Sequence, residues 1–130
     1  MKKLICAILA LIICVCFCAC EPIGIGNRGG KSDSKLTVHF IDVGQGDCIL
    51  MESGGEFVLI DSGEHEYSDR VTDYIKEQGA ARLTYVIATH PHSDHIGGMR
   101  DILKSIAADN FITKEADTDT HLWTNLLKTV

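Results

Sequence analysis

Past residue 20 the sequence holds one cysteine, Cys48. The other five, Cys6, Cys14, Cys16, Cys18 and Cys20, crowd into the first twenty residues and serve there as small apolar side chains. A disulfide framework is thereby excluded, and Cys48, alone inside a strand-like run, reads as a buried structural thiol. Basic charge is also scarce. With Lys2 and Lys3 set apart, ten of the 12 Lys and Arg remain against 18 Asp and Glu, a formal charge of −8. That argues against a broad nucleic-acid-binding face, which presents a basic patch. It leaves open a phosphodiester held at a metal centre, where cations supply the positive charge. Internal repeats are lacking, and the length suits one domain.

The first twenty residues read as an export leader. Met1-Lys2-Lys3 is a short basic start, and the 17 residues from Leu4 to Cys20 carry no charge. This is the pattern of a secretory signal, and the run falls short of the roughly 20 residues that a membrane span needs. Phe17-Cys18-Ala19-Cys20 is similar to a bacterial lipoprotein cleavage box, with Phe17 where Leu is usual. Cleavage after Ala19 would leave Cys20 as the lipid-modified first residue. The expectation is an exported protein of the cell envelope, held to the membrane through Cys20 and facing outside. A plain signal peptide and an uncleaved anchor are the alternatives. Residues 21–35 are rich in Gly, Ser and charge and read as a flexible tether. The domain is expected over 36–130.

Within the domain the apolar pattern predicts three strands (36–41, 48–51 and 57–60). A two-glycine turn over 42–47 separates the first two, and a hairpin turn over 53–55 separates the second and third. A helix capped by Ser68 follows, with Val71, Tyr74, Ile75 and Gln78 on one face and Gly79 as its stop. The continuous apolar run 83–88 predicts a strand buried on both faces. Met99, Ile102, Leu103 and Ile106 follow helical spacing, 111–112 is a short strand, and Leu122, Trp123, Leu126, Leu127 and Val130 form a last helical stripe. This order predicts an α/β fold with a mixed sheet, antiparallel at first and then built from βα units with flanking helices.

The chemistry concentrates in Thr89-His90-Pro91-His92-Ser93-Asp94-His95-Ile96-Gly97-Gly98. Three imidazoles and a carboxylate lie within six positions, just past the predicted buried strand. That is where open α/β sheets place ligand sites. Imidazole with carboxylate suits zinc, and also iron, manganese or nickel. In an extended segment His90 and His92 point the same way, and Pro91 biases His90 toward that geometry. Asp94 and His95 follow a turn and can face a different point. Gly97 and Gly98 let backbone pass close to the ligands.

His90-x-His92-x-Asp94-His95 resembles the signature of the metallo-β-lactamase superfamily of metal-dependent hydrolases. Val38-His39-Phe40-Ile41-Asp42-Val43-Gly44-Gln45-Gly46-Asp47 and Leu59-Ile60-Asp61-Ser62-Gly63 resemble the opening of the ComEC competence-protein hydrolase domain. The resemblance spans residues 36 to about 130. It implies a metallo-β-lactamase-like sheet, half of an αββα sandwich. It implies two Zn2+ ions in a complete member, other divalent metals being alternatives, with His90 and His92 on one and Asp94 and His95 on the other. Asp94 would also be the catalytic carboxylate that orients the attacking water. Asp61 would support the metal loop, or else serve only its own turn. Asp42, Gln45 and Asp47 would line the cleft rim, or else only close a tight turn. A phosphodiester, as in nucleic acid, is the implied substrate. His39 and His121 lack partners at ligand spacing and read as structural.

The relatives' pattern continues with a third histidine, a metal-bridging aspartate and a final histidine. After His95 this sequence offers only His121. The resemblance therefore implies an incomplete chain whose half sheet exposes an apolar face. The alternative to a hydrolase is a truncated, non-catalytic lipoprotein remnant that binds metal weakly. The oligomeric state is not encoded in these features.

Overall fold

The computed structural model describes residues 35–114 and 118–130. The leader, most of the tether and the candidate lipidation site Cys20 lie outside the described residues.

Alternating or continuous apolar runs form five strands: β1 (Thr37–Phe40), β2 (Ile49–Ser53), β3 (Glu56–Ile60), β4 (Leu83–Ala88) and β5 (Ala108–Thr113). They make one sheet in the order β1-β2-β3-β4-β5. The first two pairings are antiparallel and the last two parallel. Gly54 and Gly55 both have positive φ, as the tight β2–β3 hairpin requires. Between β3 and β4 come a 3-10 turn (His65–Tyr67) and helix α1 (Ser68–Glu77). Between β4 and β5 come α2 (Ser93–Ile96) and α3 (Met99–Ser105), and α4 (His121–Leu127) follows β5. Right-handed crossovers stepping twice in one direction put both connections on the same side of the sheet.

The core lies on that side. Leu50, Leu59 and Val86 are register partners on adjacent strands, and all are fully buried. Val71 and Ile75 of α1 and Met99 and Ile102 of α3 complete the cluster, with Trp123 and Leu126 of α4. The opposite face is apolar and open. Phe40 is 81% exposed there, in register through Ile49, Ile60 and Ile87 with exposed Ile112. The apolar open face matches the half-sheet expectation. It also corrects the reading of β4 as buried on both sides, because Tyr85 points to the open face and is exposed.

Three smaller readings change. Ser68 is the first residue of α1 and makes no capping bond; Tyr67 precedes the helix. The strand expected at 111–112 runs from Ala108 to Thr113, because parallel pairing with β4 continues past its apolar centre. In the last stripe only Trp123 and Leu126 are buried, while Leu127 and Val130 are exposed. Thr120 caps that helix, accepting from the Trp123 backbone N–H. His39 is structural, its Nδ1 3.0 Å from the Tyr74 hydroxyl.

The two faces predict opposite responses. Leu59→Ala should cost about 2–5 kcal/mol of stability. Phe40→Ser, on the open face, should shift stability by only about 0.5 kcal/mol. Urea unfolding of both variants checks the assignment, and similar losses would contradict it.

Candidate metal centre

The site lies at the carboxyl ends of the parallel pair β3 and β4. Ile60 and Ile87 are register partners, so the residues that leave the two strands, Asp61 and Thr89, emerge side by side. The Asp61 backbone N–H donates to the Ile87 carbonyl at 2.9 Å. Asp61 is 1% exposed and is the non-glycine residue with positive φ (55°) among those described. A left-handed backbone at a buried carboxylate costs energy and is held by its surroundings.

Those surroundings are the histidine loop. The Thr89 backbone N–H donates to Asp61 Oδ1 at 2.9 Å. The Thr89 hydroxyl donates to Oδ2 at 2.5 Å. His95 Nδ1 lies 2.9 Å from the same Oδ2. A carboxylate only accepts, so Nδ1 of His95 carries a hydrogen, and in the neutral ring Nε2 keeps its lone pair. Histidine ligands in metal sites are commonly oriented by such a carboxylate.

A second set of bonds fixes the backbone. The Ser62 N–H and hydroxyl both donate to the His95 carbonyl, at 2.7 and 3.0 Å. Gly63 N–H donates to the Asp47 carbonyl at 2.9 Å, and Gly98 N–H to the Gly63 carbonyl at 3.1 Å. Ser93, opening α2, donates its hydroxyl to Glu64 at 2.9 Å. The 42–47 loop forms one wall. A Cβ on Gly46 would sit 1.8 Å from the Asp94 carbonyl oxygen, so only glycine fits there.

His90, Asp94 and His95 each offer a ligand atom within 4.8 Å of the others. His95 Nε2 is 3.8 Å from Asp94 Oδ2. Tetrahedral zinc, with bonds of about 2.0–2.1 Å, sets its ligand atoms roughly 3.3 Å apart. A contraction of well under an ångström at that pair would seat a cation, so this donor set fits one. Asp47, Asp61 and His95 form a second close group. There the His95 atom is Nδ1, already committed to Asp61 and 3.7 Å from Asp47. Hydrogen bonding accounts for that group without a metal.

His92 lies outside both groups. Its ring is edge-on to that of His90, centroids 4.8 Å apart, while the His90 and His95 rings are 3.8 Å apart. The geometry therefore brings His90 to Asp94 and His95 as well as beside His92. Gln45 reaches Asp94 Oδ2 with its amide at 3.5 Å. Asp42 is turned to its own loop, accepting from Gly44 N–H at 3.1 Å, and to Arg70 at 3.9 Å. His121 is exposed at the start of α4 and belongs to neither group. Cys48 is buried and free. Desolvation and then the Asp61 negative charge push its thiol from 9.0 to about 12.

Sequence reasoning passed over Thr89, Ser62, Ser93 and Glu64. Thr89 alone carried a signal: a hydroxyl at a strand end, directly before the first histidine.

A family model for the metallo-β-lactamase superfamily matches residues 41–122. The chain belongs to the metallo-β-lactamase superfamily. It is 30% identical over 90 residues to a hydroxyacylglutathione hydrolase of Prochlorococcus marinus (strain MIT 9211), covering 68% of this chain and 34% of that protein. It is 32% identical over 81 residues to an atrochrysone carboxyl ACP thioesterase of Pseudocercospora fijiensis (strain CIRAD86), covering 62% and 22%. The chain thus spans about a third or less of these curated relatives. Among solved structures, a subclass B3 metallo-β-lactamase from a soil metagenome library shares the fold. Its TM-score is 0.50 at 23% identity, over 56% of this chain and 28% of that one. The mixed α/β fold expected from the sequence is the one shared with that solved structure.

Two outcomes follow from the geometry. Gly46→Ala should displace Asp94 and weaken Zn2+ binding at least about 10-fold, read by competition with a chromogenic chelator; unchanged affinity would contradict the close approach. Cys48 should resist iodoacetamide at pH 8 in the folded chain and react once unfolded, read by peptide mass spectrometry. Its raised pKa favours the folded state below pH 9, and that contribution fades as pH climbs from 9 toward about 12.

Proposed function

We propose that the chain carries the metal-binding part of an exported, ComEC-like metal-dependent hydrolase acting on a phosphodiester. The observation that carries the hydrolase reading is the convergence of His90, Asp94 and His95, with a buried carboxylate aiming His95 Nε2 at the shared point. Zn2+ is the favoured cation, because two imidazoles and a carboxylate leave a fourth position open, as catalytic zinc requires. His92, beside His90, supplies a donor for a second ion. A bound divalent cation contributes Lewis acidity and a water acidified toward neutrality.

The chain's own groups do the rest. Asp94 accepts a proton and orients the water, and Gln45 steadies its carboxylate. Asp47 stands on the rim, 3.7 Å from His95 Nδ1, while Asp42 serves its own turn. The ComEC-like reading rests on residues 38–47 and 59–63, and nucleic acid is the substrate it favours. Residues 1–20 act as a lipoprotein leader, Cys20 as the anchor and 21–35 as the tether, which puts the domain on the outer side of a bacterial envelope membrane.

The two curated relatives, a hydroxyacylglutathione hydrolase and an ACP thioesterase, favour a second substrate reading, a thioester. The choice is made by assaying the zinc-loaded full chain on bis-(p-nitrophenyl) phosphate and on a glutathione thioester. The expected result is chelator-sensitive phosphodiester turnover that falls about 100-fold or more in His92→Ala and Asp94→Ala. Thioester turnover alone would replace the substrate reading. Absence of both activities with weak zinc binding would establish the non-catalytic remnant instead.

A further inference from the structure

We propose that Thr89 is a positioning residue that carries the influence of Asp61 to His90, fixing the His90 tautomer so that Nε2 faces the metal point. The proposal rests on the metal-binding reading of His90, Asp94 and His95. Asp61 touches His95 directly but does not touch His90. Between them stands the Thr89 hydroxyl, 2.5 Å from Asp61 Oδ2 and 3.0 Å from His90 Nδ1.

The direction of each bond follows from what the groups can do. A hydroxyl has one proton and two lone pairs, and a carboxylate has no proton to give. The Thr89 proton therefore goes to Asp61. Its oxygen is left with lone pairs toward His90, so the His90 nitrogen that faces it must donate. In the neutral ring Nδ1 of His90 carries the hydrogen and Nε2 keeps its lone pair. One carboxylate thereby sets two imidazoles in the same tautomer, His95 at first hand and His90 through one hydroxyl. The His90 and His95 rings are themselves in contact, with centroids 3.8 Å apart. Valine at 89 would keep the shape and the backbone bond to Asp61 Oδ1, yet leave His90 Nδ1 without an acceptor.

The test uses the full chain labelled with 15N-histidine, His90 being assigned by its loss in His90→Gln. Without metal, His90 and His95 should both show Nδ1–H and unprotonated Nε2. Thr89→Val should let His90 populate the Nε2–H form, leave His95 unchanged, and weaken Zn2+ binding about 10- to 100-fold. Thr89→Ser should restore the His90 tautomer and the affinity. A wild-type His90 that carries its hydrogen on Nε2 overturns the proposal without recourse to any variant. So does a folded Thr89→Val protein, judged by its His95 signals, that keeps both the tautomer and the zinc affinity. A wild-type chain with the expected His90 tautomer but no zinc binding supports the relay and sinks the metal reading, so the two failures are distinguishable.

Discussion

Everything at the site leans on the burial of one carboxylate. Asp61 is taken out of water almost completely and forced into a left-handed backbone conformation. Both are costly, and burying an unsatisfied carboxylate would cost several kcal/mol. Three donors offset that cost: the Thr89 amide, the Thr89 hydroxyl and the His95 imidazole. All three come from the histidine loop. The energy that makes Asp61 tolerable is therefore the same energy that holds the ligands in place. A polar network of this kind is rigid when complete and damaging when any member is lost.

The network exists because of sheet register. Parallel pairing of β3 with β4 delivers Asp61 and Thr89 to one edge, and an antiparallel pair would have sent them to opposite edges. The mixed topology thus divides the labour. The antiparallel hairpin β1–β2–β3 brings the 42–47 loop around to the site, and the parallel half supplies the ligands. Backbone bonds from Gly63 to Asp47 and from Gly98 to Gly63 then stitch the three loops together.

Much of this was legible in the residues. The alternation in β1 to β3, the Gly54-Gly55 turn and the apolar run of β4 each obey a local rule, and each strand formed where that rule put it. The ligand cluster was legible because so many metal-binding side chains in so short a stretch are hard to explain otherwise. Less visible was anything set by distant contacts. Leu83 to Ala88 looks buried on both sides, since a sequence reports apolarity and not which side a helix covers; Tyr85 lies on the side left open. Ser68 has a capping residue's chemistry but sits one position inside the helix, where its hydroxyl is buried instead. Asp61 could be read as a turn residue or as a ligand support, and only its three donors decide. Thr89 carried only the signal of a hydroxyl at a strand end, because its bond to Asp61 joins residues 28 positions apart.

The stitched loops bear on how the centre would bind a cation. Ligand sites that depend on metal to assemble draw on binding energy to fold. Here Ser62, Gly63 and Asp61 hold His95 and the start of α3 by protein bonds alone. The donors near the metal point are consequently preorganised, and little of the binding energy is spent on ordering them. Preorganisation also limits the donor set. The Asp94 backbone is pressed against Gly46, and His95 is tied at both its carbonyl and its Nδ1. Neither can swing far to complete a closed four-ligand shell. A centre that holds a cation through few fixed donors would keep a coordination position open for water or substrate.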